Sequence, residues 1–226
     1  MKIYSIKGIL FDMDGVLIDS NSEIERFWKE WSLKEGLSLS DENIIQYIHG
    51  RTTLDTINEL FQYSDNHTKE QILEAAIAFD LNMRPALLKG TEKFIRDIIP
   101  SLRKIAVVTS APIARAKRML KLHDVYGCFA CMVTGDEVTK GKPHPEPYLR
   151  AAAKLKLLPE DCLVFEDSNS GILSASAAGM YVVTVNNDKY QDERIIVNIN
   201  DYREITVHNK FIYIEDGQIQ IELQNE

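Results

Sequence analysis

Two aspartates follow directly on an apolar run near the start of the chain, in the segment IKGILFDMDGVLIDS. Asp12 and Asp14 stand two residues apart, so in an extended segment their side chains point the same way. Gly15 behind them lets the backbone turn sharply. One carboxylate could attack a phosphorus atom while the other exchanges a proton with the leaving oxygen, so the pair suits phosphoryl chemistry.

Polar residues of complementary chemistry follow three other apolar runs. In a parallel α/β sheet, ligands bind beyond the carboxyl ends of the strands, so we expect these residues to meet the two aspartates at one rim. They are a hydroxyl pair after KIAVV, a lysine in the loop KGKPHPEPY and two acids after CLVF: Thr109, Ser110, Lys142, Glu166 and Asp167.

The four acids expected at this rim predict a metal site. Carboxylates packed together repel one another unless a cation neutralises them or a proton is retained. An all-oxygen ligand set favours a hard divalent ion, and Mg²⁺ commonly uses one or two carboxylates together with a substrate phosphate. The expected magnesium ligands are Asp12, Asp14, Glu166 and Asp167.

The hydroxyls and the lysine predict a phosphate site beside the metal. Thr109 and Ser110 could donate hydrogen bonds to phosphate oxygens, and the ammonium group of Lys142 could pair with them. The segment DSNSG after Glu166 offers good capping residues for a helix. The positive N-terminal end of that helix would lie at the same rim and would favour an anion there.

The elements that would position these residues are short apolar runs separated by helical patterns. The runs are continuous rather than alternating, which is typical of strands buried on both faces of a parallel sheet. Alternation of strands and helices on this scale predicts a doubly wound, mostly parallel α/β sheet with helices on both sides. The predicted strands are 7–11, 104–109, 131–135, 162–166 and 181–185. The predicted helices are 112–122, 146–156 and 170–178.

Residues 21–86 interrupt this alternation. They contain no convincing strand, and their apolar residues recur at helical spacing in four groups, the first of which is Ile24, Phe27, Trp28 and Trp31. We therefore expect an all-helical cap domain over 21–86, inserted into an α/β core domain made of 1–20 and 87–226. Asp19 and Ser20 would then lie at the hinge between the two.

The C-terminal segment FIYIEDGQIQIEL predicts a β-hairpin. Two alternating runs flank Asp216 and Gly217, and an Asp-Gly pair between such runs is a strong turn signal. We expect this hairpin to be structural, either extending the sheet or covering it.

Composition and charge exclude several classes of protein. The net charge of −8 over 226 residues argues against a general nucleic-acid-binding surface. No window approaches the ~18 apolar residues of a membrane span, and acids interrupt the apolar stretch near the N-terminus, so we expect neither a membrane span nor a signal peptide and place the protein in the cytoplasm. Three cysteines do not make a disulfide framework. For the oligomeric state, a monomer is the simplest expectation. One basic cluster at helical spacing predicts a solvated helix face: Arg115, Lys117, Arg118 and Lys121.

Four segments in order along the chain resemble the signature motifs of the haloacid dehalogenase superfamily: DMDGVLIDS, VVTSAP, GKPHPEPY and VFEDSNSGILSASAAGM. The resemblance implies that Asp12 is the nucleophile and that Asp14 is the general acid/base, with its backbone carbonyl on Mg²⁺. It also implies that Thr109, with Ser110 beside it, binds phosphate, that Lys142 is the motif-three lysine, and that Asp167 with Glu166 completes the metal ligands. A second acid two places after the nucleophile favours phosphoryl transfer over dehalogenation.

The cap segments FWKEW and YIHGRTTLDTI look like those of small-cap phosphatases that act on sugar phosphates and polyol phosphates. His49, Gly50 and Arg51 match the cap loop that leans over the active site in that group. The resemblance therefore implies a Mg²⁺-dependent phosphatase that hydrolyses a small phosphorylated sugar or polyol through an aspartyl phosphate. From the residues alone, His49 could equally be an interface histidine, and Arg51 could pair with a substrate phosphate or with a cap carboxylate such as Asp55.

Two alternatives remain at this point. A hexose-phosphate mutase resembling the β-phosphoglucomutases has the same architecture, but it typically carries a histidine shortly after the D-x-D segment and a lysine-glycine pair in the cap loop. This chain has Glu23, Ile24 and Glu25 in the first region and His49-Gly50 in the second. A response-regulator receiver also orders an aspartate, a hydroxyl and a lysine in this way, but the long helical insert and the acids after Lys142 argue against it.

Overall fold

A six-stranded parallel sheet forms the centre of the protein, in a computed structural model that describes residues 2–215 and 217–224. The N-terminal strand β1, Lys2–Ile6, belongs to a second sheet. The strands of the central sheet are β2 (Gly8–Phe11), β3 (Ile105–Val108), β4 (Cys131–Val133), β5 (Cys162–Glu166), β6 (Tyr181–Val185) and β7 (Ile195–Ile199).

The strand order of the central sheet is β4-β3-β2-β5-β6-β7, and every neighbouring pair is parallel. The chain builds outwards from β2 in one direction through β3 and β4, and in the other through β5, β6 and β7. The predicted doubly wound sheet is therefore confirmed. The reversal of direction lies at the carboxyl end of β2, which is where ligands bind in such sheets.

Helices cover both faces of this sheet: α5 (Thr91–Ile98), α6 (Ile113–Leu122), α7 (Glu146–Leu155) and α8 (Asn169–Ala177). Alternate strand residues point to the two faces. Phe11 and Phe165 pack with Phe94 of α5 on one face, whereas Leu10 and Val164 belong to a cluster with α7 and α8 on the other. Burial on both faces explains why the strands read as continuous apolar runs.

Four helices fill the segment predicted as the cap: α1 (Asn21–Lys34), α2 (Asp41–Tyr47), α3 (Thr53–Leu60) and α4 (Asn66–Asn82). They enclose an apolar cluster of their own, which includes Trp28, Ile57, Phe61 and Ile72. Side chains cap α2, α3 and α4, each accepting a hydrogen bond from the N3 backbone amide. On this basis we propose the division into a cap domain over 21–86 and a core domain over 1–20 and 87–226.

The C-terminal strands form a second sheet: β8 (Thr206–His208), β9 (Phe211–Ile214) and β10 (Ile219–Leu223), with the order β1-β10-β9-β8. The predicted hairpin is confirmed, because β9 and β10 pair antiparallel; its turn residue Asp216 lies outside the described residues. The hairpin covers the central sheet rather than extending it, since its inner side chains join the core cluster around Phe11 and Phe165. Sequence reasoning missed β1, α5, β7 and β8.

In the part of the chain that the structure describes, no helix is both long and apolar enough to cross a bilayer.

Candidate active site

Asp12 and Lys142 meet in a buried ion pair at the centre of the site. Asp12 follows β2, and its backbone amide donates to the Phe165 carbonyl of the neighbouring strand at 3.0 Å. Lys142 Nζ donates to Asp12 Oδ1 at 2.5 Å and to Glu166 Oε1 at 2.5 Å. Burial raises the pKa of Asp12 well above its ordinary value, although Lys142 pulls it down. Burial disfavours the charged lysine, but Asp12 and Glu166 outweigh it and raise the pKa of Lys142.

Glu166 holds the lysine in place. Its Oε1 atom accepts hydrogen bonds from Lys142 Nζ and from the Tyr148 hydroxyl at 2.9 Å. Its Oε2 atom accepts from the backbone amides of Asp167 and Ser168 and from the Ser168 hydroxyl. A carboxylate offers about four lone-pair sites, so these five bonds occupy both oxygens. Sequence reasoning missed Tyr148, which lies on the buried face of the amphipathic helix α7.

Asp167 lies against the turn that follows Asp12. Burial and the charge of Glu166 raise the pKa of Asp167 to about 8, although a hydrogen bond from Asn21 Nδ2 to its Oδ2 atom lowers it. Gly15 has a φ of +77°, and a Cβ atom there would lie 2.0 Å from Asp167 Oδ2. Only glycine therefore allows the turn and Asp167 to approach this closely.

The acids of the site can hold a metal ion. One oxygen each of Asp12, Glu166 and Asp167 lie within 4.8 Å of one another. Together with Asp14 and Asp80, these acids outnumber the two cationic side chains of the site, Lys142 and Arg115, by five to two. Such an excess of negative charge favours a cation, and a carboxylate ligand set suits Mg²⁺.

The side chain of Asp14 lies outside this group of three acids. Arg115 donates to both of its oxygens, from Nη1 to Oδ2 at 2.7 Å and from Nη2 to Oδ1 at 2.5 Å. The Ser20 hydroxyl donates to Oδ1 at 2.5 Å, and for that reason Ser20 does not cap α1 with its side chain. The predicted metal contribution of Asp14, its backbone carbonyl, stays a prediction.

Arg115 corrects the expectation of a solvated helix face. Only 8% of the residue is exposed, and its guanidinium points to the site instead of to water. Asp14 raises the pKa of Arg115 in spite of its burial. The signal was present in the sequence: Arg115 and Ala116 lie one turn before Met119 and Leu120, so the arginine occupies the buried stripe of α6.

The hydroxyl pair after β3 lies at the same rim. Thr109 is buried, its Oγ1 atom accepts a hydrogen bond from the Ala111 amide at 3.1 Å, and it lines the cavity described below. Ser110 turns towards the cap, where its hydroxyl donates to the Gly50 carbonyl at 2.7 Å.

The cap loop 49–51 rests directly on the core. The Ser170 hydroxyl donates to the His49 carbonyl at 3.0 Å. Gly50 has a φ of +71°, and a Cβ atom there would lie 2.3 Å from Ser168 Oγ and 2.4 Å from Ser170 Oγ. The His49 ring pairs with Glu25 at 3.0 Å. Arg51 pairs with Glu59 of α3 and not with Asp55, which accepts a hydrogen bond from Thr52 instead.

A cavity of about 70 Å³ lies between the rim of the sheet and the cap. Asp12, Asp14 and Thr109 form its floor, and the cap contributes an aromatic wall that includes Phe27, Trp28 and Phe79. All three residues of the loop 49–51 also line it. Of the predicted site residues, those from three strand ends and from the cap loop meet around this cavity: Asp12, Asp14, His49, Gly50, Arg51, Thr109, Ser110 and Asp167. Lys142 and Glu166 lie buried behind Asp12.

Comparison with known proteins agrees with this geometry. Residues 9–185 match the family model described as haloacid dehalogenase-like hydrolase. The chain is 33% identical over 190 residues to hexitol phosphatase A of Escherichia coli (strain K12), covering 80% of this chain and 83% of that one. It is 29% identical over 187 residues to the phosphorylated carbohydrates phosphatase of Thermotoga maritima, covering 77% and 82%.

A solved structure shares the fold. The β-phosphoglucomutase of Clostridium difficile superposes with a TM-score of 0.70 at 21% identity, over 87% of this chain and 91% of that chain. The family model spans the segments that carry Asp12, Thr109, Lys142 and Asp167. The chain therefore belongs to the haloacid dehalogenase-like hydrolases.

Proposed function

We propose that this protein is a Mg²⁺-dependent phosphatase that hydrolyses a small phosphorylated sugar or polyol through an aspartyl-phosphate intermediate. The observation that carries the proposal is the buried contact of Asp12 with Lys142, beside Asp167 and under a cavity lined by Thr109. The relatives that hydrolyse hexitol phosphates and phosphorylated carbohydrates support this substrate class. We expect the enzyme to act as a cytoplasmic monomer.

In the first step, a carboxylate oxygen of Asp12 attacks the phosphorus atom of the substrate. The bond between phosphorus and the sugar oxygen breaks, and the leaving oxygen takes a proton from the carboxyl group of Asp14. Thr109, Ser110 and Lys142 would bind the phosphoryl oxygens and stabilise the charge that develops on them.

In the second step, water attacks the phosphorus atom of the aspartyl phosphate. Asp14, now a carboxylate, accepts a proton from that water, and the bond between phosphorus and Asp12 breaks. Inorganic phosphate leaves, and both aspartates return to their starting states.

The metal would be held by Asp12 and Asp167, with Glu166 near enough to share the ion. Among these, Asp12 Oδ2 and Asp167 Oδ1 accept no hydrogen bond from the described residues, whereas both oxygens of Glu166 already do. We therefore propose Asp12 and Asp167 as the main side-chain ligands and Glu166 as the residue that orients Lys142. When bound, Mg²⁺ supplies positive charge that offsets the phosphoryl group and the two acids.

The cap would provide specificity for the leaving group. The cavity of about 70 Å³ has room for only a few water molecules, so we propose that the cap moves away from the core to admit a polyol phosphate. We propose that His49, Gly50 and Arg51 contact the substrate when the cap closes again. Closure would also exclude water that competes with the leaving sugar.

Measurement of phosphate release over a panel of sugar and polyol phosphates with Mg²⁺ tests the proposal. We expect turnover of one or more members, loss of turnover on addition of EDTA, and loss of more than about 1,000-fold in Asp12→Asn, because nucleophilic attack requires the carboxylate. Asp41→Asn, at an exposed aspartate of the cap, is the matched control and should behave like wild type.

The panel includes β-glucose 1-phosphate, monitored for conversion to glucose 6-phosphate. Isomerisation without release of phosphate would assign the chain to the mutases instead. Full turnover in Asp12→Asn would contradict the nucleophile assignment.

A further inference from the structure

Asp80 is a carboxylate that the cap adds to the cavity of the candidate active site. It lies near the end of α4, the last helix of the cap, and lines the cavity together with Asp14. Arg118 of α6 donates hydrogen bonds to the backbone carbonyls of Asp80 and Met83, which anchors this end of α4 to the core. The position of Asp80 at the cavity is therefore fixed by the contact between the two helices.

The carboxylate of Asp80 lacks hydrogen-bond donors. Its Oδ1 atom forms an ion pair with Arg115 Nε at 3.0 Å, but this contact is not an aligned hydrogen bond, because Nε is buried without a hydrogen-bond partner among the described residues. No other group in the part of the chain that the structure describes donates to either oxygen of Asp80. Only 21% of the side chain is exposed, and a largely buried acceptor without a donor needs an explanation. Hydroxyl groups of a bound ligand would supply the missing donors.

Arg115 places Asp80 close to the reacting atoms. Its Nη1 atom donates to Asp14 Oδ2 at 2.7 Å while its Nε atom faces Asp80, so a single guanidinium group spans the two carboxylates. Asp14 is the residue that would protonate the leaving oxygen in the proposed reaction. The first carbon atoms of the leaving group, and the hydroxyl groups on them, would therefore lie within reach of Asp80.

The charges around the cavity disfavour a second anion on the substrate. Burial raises the pKa of Asp80 to about 6 although Arg115 lowers it, so the carboxylate is ionised at pH 8. Among the described residues that line the cavity, each basic side chain is already paired with an acid: His49 with Glu25, Arg51 with Glu59, and Arg115 with Asp14. A second anionic group placed beside Asp80 would meet a like charge without a free cation to offset it.

We propose that Asp80 is a specificity-determining residue: its carboxylate accepts hydrogen bonds from hydroxyl groups near the phosphate ester and repels leaving groups that carry a second anion there. The inference rests on the proposed phosphatase function and deepens it by naming the class of leaving group. Phosphate esters of neutral sugars and polyols fit the site, whereas phosphorylated hydroxy acids do not.

Two esters that differ in one group test the proposal: racemic glycerol 1-phosphate and racemic 3-phosphoglycerate, assayed with Mg²⁺ at pH 8. They share a three-carbon chain, and the terminal hydroxymethyl group of the first is a carboxylate in the second. We expect the wild-type kcat/KM for glycerol phosphate to exceed that for phosphoglycerate at least about 100-fold, because like charges in a largely buried site repel strongly. In Asp80→Asn this ratio should fall at least about tenfold, because an amide still accepts a hydrogen bond from a hydroxyl but does not repel a carboxylate.

The ratio separates specificity from catalysis. Any effect of Asp80→Asn on Arg115 and Asp14 cancels in it, because both esters require the same chemistry. Glu74→Gln is the matched control: it removes the same charge from an exposed position of α4, and its ratio should equal that of wild type. An equal fall of the ratio in Glu74→Gln would assign the effect to overall charge and would overturn the proposal.

A wild-type ratio near one would also overturn the proposal, and that result does not depend on any variant being folded. So would a ratio that Asp80→Asn leaves unchanged.

Failure of the proposed function would be seen separately, as absence of phosphate release from every ester in wild type. Calorimetric Kd values of the same two esters then decide the role of Asp80. Weaker binding of phosphoglycerate than of glycerol phosphate by at least about tenfold, relieved in Asp80→Asn, supports that role. Equal binding of the two esters by wild type, or no binding of either, overturns it.

Discussion

At the scale of single residues, the main feature of the site is that its buried carboxylates outnumber its cationic side chains. Asp12 and Asp167 both have a raised pKa because burial and neighbouring acids disfavour their ionised forms. Lys142 offsets part of this negative charge, because its ammonium group donates hydrogen bonds to the carboxylates of Asp12 and Glu166. A metal ion bound here would displace protons, so we expect its affinity to depend on pH.

We predict that Mg²⁺ binding releases protons at pH 7. The pKa of Asp167 without metal is about 8, so below that pH the group carries a proton that the metal must displace. The apparent Mg²⁺ affinity should fall about tenfold for each pH unit below 8 and level off above it. Titration calorimetry in buffers of different ionisation enthalpy measures the released protons. Equal affinity at pH 6 and pH 8 would contradict the assignment of Asp167 as a ligand.

Residue-level reasoning from sequence identified the acids and Lys142, but not Arg115 or Tyr148. Asp12, Asp14 and Asp167 are recognisable because acids that follow buried strands are rare without a reason. Arg115 was misjudged, since a charged side chain on a helix is usually solvated and its partner Asp14 is distant in sequence. The hydrogen bonds of Glu166 could not be foreseen either, because they depend on the packing of Tyr148 in α7.

At the scale of elements, the cap loop is held by backbone contacts rather than by its side chains. The carbonyls of His49 and Gly50 accept hydrogen bonds from Ser170 and Ser110 of the core. A loop that contacts the core through its backbone can form the same closed state whatever its side chains are, provided that residue 50 has no Cβ atom.

We predict that Gly50→Ala lowers kcat/KM at least tenfold. The alanine Cβ would clash with the hydroxyls of Ser168 and Ser170, so the loop could not settle on the core. Gly36→Ala is a matched control, because Gly36 has nearly the same φ, +72°, and no atom within 4 Å of the new Cβ. Both variants should lose about 1–2 kcal/mol of stability from the left-handed backbone, but only Gly50→Ala should lose activity. Equal activity of the two variants would show that closure does not require this contact.

The sequence predicted helices and strands correctly where a run of neighbouring residues carries the hydrophobic pattern. The strands at 162–166 and 181–185 have the bounds that the apolar runs indicate, and the cap helices lie where helical spacing places them. Strand β1 was missed because KIYSI runs into KGILF with no turn signal between them. Its partner β10 lies at the other end of the chain, so no local pattern identifies the pair.

At the scale of the whole molecule, we expect the second sheet to contribute to the stability of the fold but not to its activity. Ile212, Ile214 and Ile221 contribute to the main core cluster on the face of the central sheet covered by α5. None of them lines the cavity of the site. The C-terminal strands thus stabilise the sheet that carries Asp12 without taking part in the chemistry.

We predict that Ile221→Ala lowers the free energy of unfolding by about 2–5 kcal/mol, the usual range for removing a fully buried isoleucine side chain. The kcat/KM of the folded enzyme should stay within about twofold of wild type. Urea unfolding and steady-state kinetics on the same preparation provide the comparison. Ile3→Ala, at a residue that is 59% exposed, should change neither quantity noticeably. A large loss of kcat/KM in Ile221→Ala would mean that the second sheet sets the geometry of the site.

The strand order has a consequence for the newly made chain. Asp12 lies at the end of the first strand of the central sheet, between two strands that the ribosome produces only after the entire cap. Until residues up to Glu166 have emerged, β2 lacks one of its two neighbours and Asp12 lacks the acids that face it from β5. A nascent chain therefore has an incomplete site through most of its synthesis, and the site is completed only when β5 pairs with β2.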